Sequence, residues 1–355
     1  MPVRVPDYWP EWDVAELEYL GKCPVCQSAE RELLHSDLID RWFHAAGRWS
    51  MHRCQSCASA YIDPRPDSRS IHKAYANYET HRPAGSGERK RDASLALRLR
   101  NGYLNRKYGY RQQPSSGWGY LAMHLLPPPL RYEWDHYARH LPVPAPGSDC
   151  LLDVGCGNGE FLVRARSQGW KVHGLDVDEG ALSHARAAGI PVTNAVMRSE
   201  LFAEASFDSI TTHQVIEHVH DPMGFLRCLY RWLKPGGRLW LGTPNSTSAL
   251  HAEFGPDWRD LHPPQHLILF SPEALLSLLA EIGFKGACLL PRGYLDSHIY
   301  ALSRSMRGAQ EVGDWQSLNQ ANGNSVSVIK RFAIEGRAWL RPQLAGSLVV
   351  VAWKE

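Results

Sequence analysis

At 355 residues the chain exceeds one typical domain of roughly 100–200 residues, and its 44% apolar content can supply a sizeable core. A formal net charge of +2 gives no overall reason to expect a polyanion partner. Apolar runs such as Leu348 to Trp353 fall far short of the ~20 residues of a membrane helix, so membrane insertion is not expected.

Residues 1–20 mix proline, acids and tryptophan and read as an N-terminal arm without a signal-peptide pattern. Cys23-Pro24-Val25-Cys26 and Cys54-Gln55-Ser56-Cys57 follow. Two C-x-x-C knuckles give four thiolates, a tetrahedral sulfur cage suited to Zn2+. With cysteine in all four positions no site is open for water, so the expected role is structural. The spacing between the knuckles leaves room for a β-hairpin, and residues 21–82 are expected to form this small module. The other four of the eight cysteines are scattered singly, a usage that agrees with a reducing compartment and a cytoplasmic location.

Residues 83–148 are expected to form a helical lid and linker, interrupted by Pro127-Pro128-Pro129 and ending in Leu141–Gly147. The run from Arg89 to Arg111 holds eight basic residues and one acid, Asp92. It reads as a solvated helix face, or as a lid gripping a phosphorylated or nucleotide-linked acceptor. Tyr103, Tyr108 and Tyr110 interleave with the charges, which is the pattern of an aromatic-basic surface for RNA.

From residue 149 onward short apolar strands alternate with helical patterns, the signature of a parallel α/β sheet. Leu151–Val154 is a strand that runs into Gly155-Cys156-Gly157-Asn158-Gly159 and then a helix with Phe161, Leu162 and Ala165 on one face. Glycines at such a turn let a ligand approach the backbone, and the helix start offers free N–H groups. The next strand ends at Asp176, about 20 residues past the first glycine, where a carboxylate can accept both ribose hydroxyls. A dinucleotide site wants a third glycine where Glu160 stands, and that acid would repel a pyrophosphate. Asp153 suits an ammonium group. The charge pattern favours S-adenosylmethionine over NAD. Further along, Asp221-Pro222 opens a helix whose buried face is Phe225, Leu226, Leu229, Trp232 and Leu233. Lys234-Pro235-Gly236-Gly237 stops it before a strand at Arg238–Leu241. Ser271-Pro272 opens another helix that Gly283 closes, and Ser347–Trp353 supplies a last strand. Residues 301–345 carry a helical pattern near Val328–Leu340 and no functional signal.

The ordered segments Leu151–Gly159, Gly174-Leu175-Asp176, Ser206–Ile210, Val215–Val219 and Leu233–Gly237 resemble the class I S-adenosylmethionine-dependent methyltransferases, over roughly residues 149–295 and 347–354. The resemblance implies a Rossmann-like, doubly wound α/β fold with a seven-stranded sheet, its last strand antiparallel, over residues 149–355. It implies that Gly155, Cys156, Gly157 and Gly159 line the methionine part of the cofactor, with Asp153 near the ammonium. Asp176 would hold the ribose and Val177 would pack beside adenine. Val196 and Met197 would flank the ring in place of the acid many relatives carry there, and His213 and Gln214 would lie beneath the reactive end. The knuckles, with Ile62-Asp63-Pro64-Arg65-Pro66, resemble the zinc ribbon at the front of many bacterial methyltransferases of polysaccharide and natural-product pathways. Glu217-His218 is similar to the Glu-x-x-Glu-His pattern of ubiquinone-pathway O-methyltransferases, which can hold a divalent metal. Gln214 replaces the first acid, and no catalytic metal is expected.

Methyl transfer needs an aligned nucleophile and, for a hydroxyl, a base. His218 and His266, in the loops after the fourth and fifth strands, are the candidates. The expected activity is methylation of oxygen or carbon on a small molecule: a sugar, glycan precursor or secondary metabolite. The alternatives are RNA methylation guided by the zinc module, and a non-catalytic cofactor-binding scaffold. The Asn/Asp-Pro-Pro-Tyr segment of base-amino methyltransferases is missing after strand four, where His213-Gln214-Val215-Ile216 stands. Nucleic acid is therefore not the expected partner. The oligomeric state is unassigned.

Overall fold

The computed structural model describes residues 10–76, 94–292, 295–308 and 326–355. Part of the expected arm and part of the basic run, Arg89 to Asp92 included, lie outside the described residues. The chain begins with β1 (Leu17–Glu18), β2 (Arg31–Leu38), β3 (Trp49–Cys54), β4 (Ala60–Ile62) and β5 (Arg65–Pro66). Three helices follow: α1 (Leu95–Tyr108), α2 (Gly119–Leu125) and α3 (Pro128–Tyr137). Then come β6 (Cys150–Val154), α4 (Glu160–Ser167), β7 (Lys171–Asp176), α5 (Glu179–Ala187), β8 (Val192–Asn194), β9 (Phe207–His213), α6 (Pro222–Trp232) and β10 (Leu233–Pro244). The remainder is α7 (Ala249–Phe254), β11 (Ile268–Leu269), α8 (Pro272–Ile282), β12 (Lys285–Leu289), α9 (Asp296–Gly308), α10 (Val328–Leu340) and β13 (Ser347–Trp353). No helix among the described residues is long and apolar enough to cross a membrane.

Seven strands form one sheet in the order β12-β13-β10-β9-β6-β7-β8. β10, β9, β6, β7 and β8 run parallel, and β13 pairs antiparallel with both β10 and β12. The strand order reverses at β6, so β6 and β9 part their crossovers to opposite faces and leave a crevice at their C-terminal ends. Local chemistry sets the helix starts. Asp178 Oδ1 accepts the amides of Gly180 and Ala181, and Asp221 Oδ1 accepts that of Gly224 beside Pro222. α6 turns Phe225, Leu226, Leu229 and Trp232 onto the sheet, where they share a core with Val154, Ile210, Leu239 and Leu241. Each such side chain contributes roughly 1.5–3 kcal/mol by leaving water.

The cysteine module is not a separate body. The stretch between the knuckles holds the β2–β3 hairpin, and its sheet runs β11-β4-β3-β2, so residues 268–269 of the C-terminal region complete it. Cys23, Cys54 and Tyr61 belong to the same apolar core as Leu267, Ile268 and Phe270. Ser271 locks the junction: its hydroxyl accepts the Ala274 amide at 3.0 Å, capping α8, and donates to the Cys57 carbonyl at 2.6 Å. Ser271→Ala removes both bonds at a fully buried position and is expected to cost about 1–2 kcal/mol in chemical denaturation.

The tyrosines of the basic helix face inward, which corrects the aromatic-basic surface expected from their spacing. Tyr103 and Tyr108 donate to the buried Asp135 carboxylate at 2.9 and 2.7 Å, and Tyr110 donates to the Leu141 carbonyl at 2.6 Å. Lys107 completes the Asp135 cluster at 2.7 Å. A buried carboxylate needs several donors, and this need turns the rings away from solvent. Base stacking on Tyr103, Tyr108 and Tyr110 is thereby excluded.

Candidate functional site

The β6–α4 crossover is built from left-handed backbone. Gly155, Gly157 and Gly159 have φ of +73°, +51° and +77°. A Cβ on Gly155 would stand 2.2 Å from Val215 Cγ2, whereas one on Gly157 would meet nothing within 4 Å. Gly155 is therefore required by packing, and Gly157 faces open space where a ligand can reach the backbone. The Cys156 side chain turns away from the loop's open side. Its sulfur is buried against the Gly174 backbone, in an apolar cluster with Leu162 and Ala185. The Asp176 carboxylate accepts the Gly157 amide at 2.8 Å and the Asp178 amide at 3.0 Å. Val177 and Val196 are exposed apolar side chains at the ends of β7 and β8, while Met197 packs partly onto the core.

Asp153 has partners that the sequence did not show. Its carboxylate is buried and already holds a cation, the Arg139 guanidinium, together with the Thr211 hydroxyl at 2.8 Å. Its Oδ2 has no hydrogen-bond partner among the described residues. Arg139 also bonds Thr211 at 2.9 Å and lies 3.9 Å over the Phe161 ring. The glycine loop thus adjoins a cation and an anion side by side. Sequence reasoning gave Arg139 no role, because it stands in a left-handed turn (φ +47°) before β6 and meets Asp153 only through the fold.

His213 ends β9, its ring fitting against Gly242, whose missing Cβ would come within 2.6 Å. His136 of α3 packs edge-on to it at 5.2 Å, and Trp240 lies against both. Burial pushes both imidazoles well below their ordinary range, so they are neutral. Gln214 follows in a left-handed conformation (φ +56°), with its amide on the Gly242 carbonyl at 2.8 Å. Backbone strain of this kind clusters at ligand-binding turns.

His218 and His266 come together, with ring centroids 4.8 Å apart. His218 Nδ1 donates to the Gln265 carbonyl at 2.8 Å, with the Tyr75 phenol oxygen at 2.9 Å, and His266 Nδ1 donates to the Asp260 carbonyl at 2.7 Å. Those bonds leave both Nε2 atoms as lone-pair acceptors. Burial lowers the His218 pKa to about 4 and pushes that of His266 well below its ordinary range, so both rings are neutral. Glu217 joins them: one carboxylate oxygen and two ring nitrogens lie within 4.8 Å of one another, a set that can relay a proton or hold a divalent cation. His262 meets His266 edge to face at 5.0 Å and lines a cavity of about 310 Å³ with Arg41, Trp42, Trp258 and Arg259.

Glu217 was legible as a motif residue but not as a buried acid. Its Oε2 accepts the Thr243 hydroxyl at 2.9 Å, Oε1 has no partner among the described residues, and burial pushes the carboxyl up to about 8. Between the unfolded value and that one the folded chain keeps a proton that the unfolded chain releases. Stability therefore falls as pH rises through this window, by up to about 1.4 kcal/mol per pH unit. Glu217→Gln is expected to melt like the native chain near pH ~4.5 and above it near pH ~8.5, as read by thermal unfolding across pH.

At the cysteine module, Cys23 and Cys57 sulfurs are 3.7 Å apart, Cys26 and Cys54 sulfurs 3.5 Å, and all four lie within 4.8 Å. A tetrahedral thiolate site with metal–sulfur bonds of about 2.3 Å has edges of roughly 3.8 Å. The neighbouring Cys23 thiol holds the Cys57 thiol below its ordinary range. The knuckles repeat one another: the Gln27 amide bonds the Cys23 carbonyl and the Ala58 amide that of Cys54.

Residues 129–289 match the family described as "Methyltransferase domain". A ubiquinone biosynthesis O-methyltransferase of Pseudomonas paraeruginosa is 34% identical over 124 residues, 33% of this chain and 51% of that protein. One from Ruegeria pomeroyi is 34% identical over 149 residues, 38% and 59% respectively. The chain thus spans little more than half the length of these curated relatives. Among solved structures, a SAM dependent methyltransferase from Archaeoglobus fulgidus is similar, with 21% identity, a TM-score of 0.40, and coverage of 59% of this chain and 87% of that one.

Proposed function

We propose that this chain, which carries a class I S-adenosylmethionine-dependent methyltransferase domain, transfers a methyl group to an oxygen of a small hydroxylated acceptor. The observation that carries the reading is the Asp153–Arg139 pair beside the open Gly157 backbone. A zwitterionic amino-acid end needs a cation for its carboxylate and an anion for its ammonium, and a diphosphate needs neither arrangement. Arg139 would take the carboxylate, and the unpartnered Oδ2 of Asp153 the ammonium. Asp176 would accept from the ribose, its oxygens each holding only one amide. Val177, Val196 and Met197 would flank the adenine.

The bound cofactor supplies a methyl group already activated by its sulfonium. The protein's task is to align the acceptor and remove water. His136, His213 and Trp240 form an uncharged aromatic wall at the carboxyl end of β9. His218 or His266, neutral and with a free Nε2, would accept the hydroxyl proton. The names of the Pseudomonas and Ruegeria relatives favour oxygen as the methylated atom. Sugars, glycan precursors and secondary metabolites are the acceptors we would examine first. We further infer that the four thiolates hold a structural zinc ion, and that a reducing cytoplasm keeps them free.

The test is transfer from methyl-labelled cofactor into the small-molecule fraction of a cell extract, followed by mass spectrometry of the product. A labelled oxygen-linked methyl group is the expected result. Adenosylhomocysteine binding without transfer to any fraction would instead make the chain a cofactor-binding scaffold.

A further inference from the structure

Residues 94–132 carry six lysines and arginines and no acidic side chain, in a chain whose net charge is only +2. α1 and α2 lie in this stretch and touch backbone to backbone: a Cβ on Gly119 would stand 2.8 Å from the Gly102 Cα. Gly102 therefore marks the side of α1 on which α2 lies. Arg98 and Arg106 stand four residues before and four after it, so they flank α2 on that same side. Both are exposed, as is Arg111 beyond the end of α1. The next acids in the chain, Glu133 and Asp135, are on α3, and Asp135 is buried under Tyr103, Tyr108 and Lys107.

α2 turns Gly119 and Met123 inward. Its opposite side is a stripe of Trp118, Leu121 and Leu125, spaced i, i+3 and i+7 and 74%, 53% and 79% exposed. Leu126 at the end of α2 and Leu95 at the start of α1 are exposed too. Single apolar side chains on a surface are ordinary, but a stripe of them on one helix face marks a contact surface.

We propose that this face of α1 and α2 docks on the surface of an anionic lipid bilayer, with the stripe of α2 in the headgroup layer and Arg98 and Arg106 on lipid phosphates. The proposal does not depend on the methyltransferase reading. Tryptophan and leucine between arginines are the composition of a helix that lies in a membrane interface. Clustered cations without acids match the negative potential of such a surface. At seven residues, about 10 Å, α2 lies in the interface and does not span it. A second copy of the chain fits less well, because a twofold contact through this face would set arginines against arginines. RNA would pair with the arginines but offers nothing apolar to a leucine stripe, and the tyrosines of α1 point inward.

The test is co-sedimentation of the full chain with vesicles of phosphatidylcholine alone, and of phosphatidylcholine and phosphatidylglycerol in equal parts. Binding to the mixed vesicles is expected to be at least tenfold tighter, and to weaken strongly as sodium chloride rises from about 0.1 M to about 0.5 M. Leu121→Gln with Leu125→Gln should weaken it tenfold or more, and so should Arg98→Gln with Arg106→Gln. All four positions are exposed or at helix surfaces, and circular dichroism checks the fold. Should one pair not fold, the other pair and the two vesicle compositions decide. The proposal is overturned if the mixed vesicles do not bind, if phosphatidylcholine alone binds as well, or if either folded pair leaves binding unchanged. It is also overturned if the lipid-free chain is a dimer that the leucine pair splits, which would assign the stripe to a second copy. A uridine homopolymer that binds more tightly than the mixed vesicles, and is lost with the arginine pair, would assign the face to RNA and overturn it as well.

Discussion

Cys54→Ser is expected to strip the metal from the N-terminal module and to lower the melting temperature of the whole chain by about 10 °C or more, not merely to loosen one end. Structural zinc in small sites contributes on the order of 10 kcal/mol of folding free energy, and the three thiols left without a cation, Cys23 and Cys57 3.7 Å apart among them, cannot replace it. Cys54 is fully buried in the core that also holds Leu267, Ile268 and Phe270. The shared strand pair β4–β11 transmits the loss to the loop that carries His266. Loss of transfer activity should therefore accompany loss of metal, although no cysteine of the cage stands in the crevice. Atomic emission of the native protein should report one zinc per chain. A metal-free native protein, or a serine variant with an unchanged melting point, would refute this account of the module.

Asp176→Ala is expected to lower adenosylhomocysteine affinity by ~100-fold or more, about 3 kcal/mol, in isothermal calorimetry. Two effects add. The variant loses the carboxylate that would accept the ribose hydroxyls, and it releases the Gly157 amide, whose bond to Asp176 at 2.8 Å fixes the glycine loop. The melting temperature should move little, because burial already raises the Asp176 pKa and makes the carboxylate costly to keep. An affinity within threefold of native would mean that the ligand does not lie across the β6–β7 crossover.

The candidate site was legible in proportion to how local its chemistry is. Gly155, Gly157 and Gly159 occupy one turn, and Asp176 follows one strand later, so their relation is fixed by βαβ geometry that any reader of the pattern can reconstruct. His218 and His266 were recognisable as residue types but not as neighbours, since 4.8 Å between rings depends on how the loop after β10 returns over β9. Arg139 gave no signal at all. Its importance comes from the need of a buried Asp153 for a counter-ion, and that need is visible only when the burial is known. The tyrosines of α1 were misread for the same reason: spacing shows which residues alternate, not which of them must satisfy Asp135.

By itself the sequence determined the alternation of strands and helices, the glycine crossover and the paired cysteine knuckles, because periodicity, turn residues and C-x-x-C spacing act over a few residues of backbone; the seven-strand count was what the family resemblance implied. Only the tertiary structure decided that β11, from the C-terminal region, completes the sheet of the cysteine module, that Glu217 joins two histidines, and that Arg139 is the counter-ion of Asp153. Those outcomes depend on which charges are removed from water together, a balance struck between segments far apart in the chain.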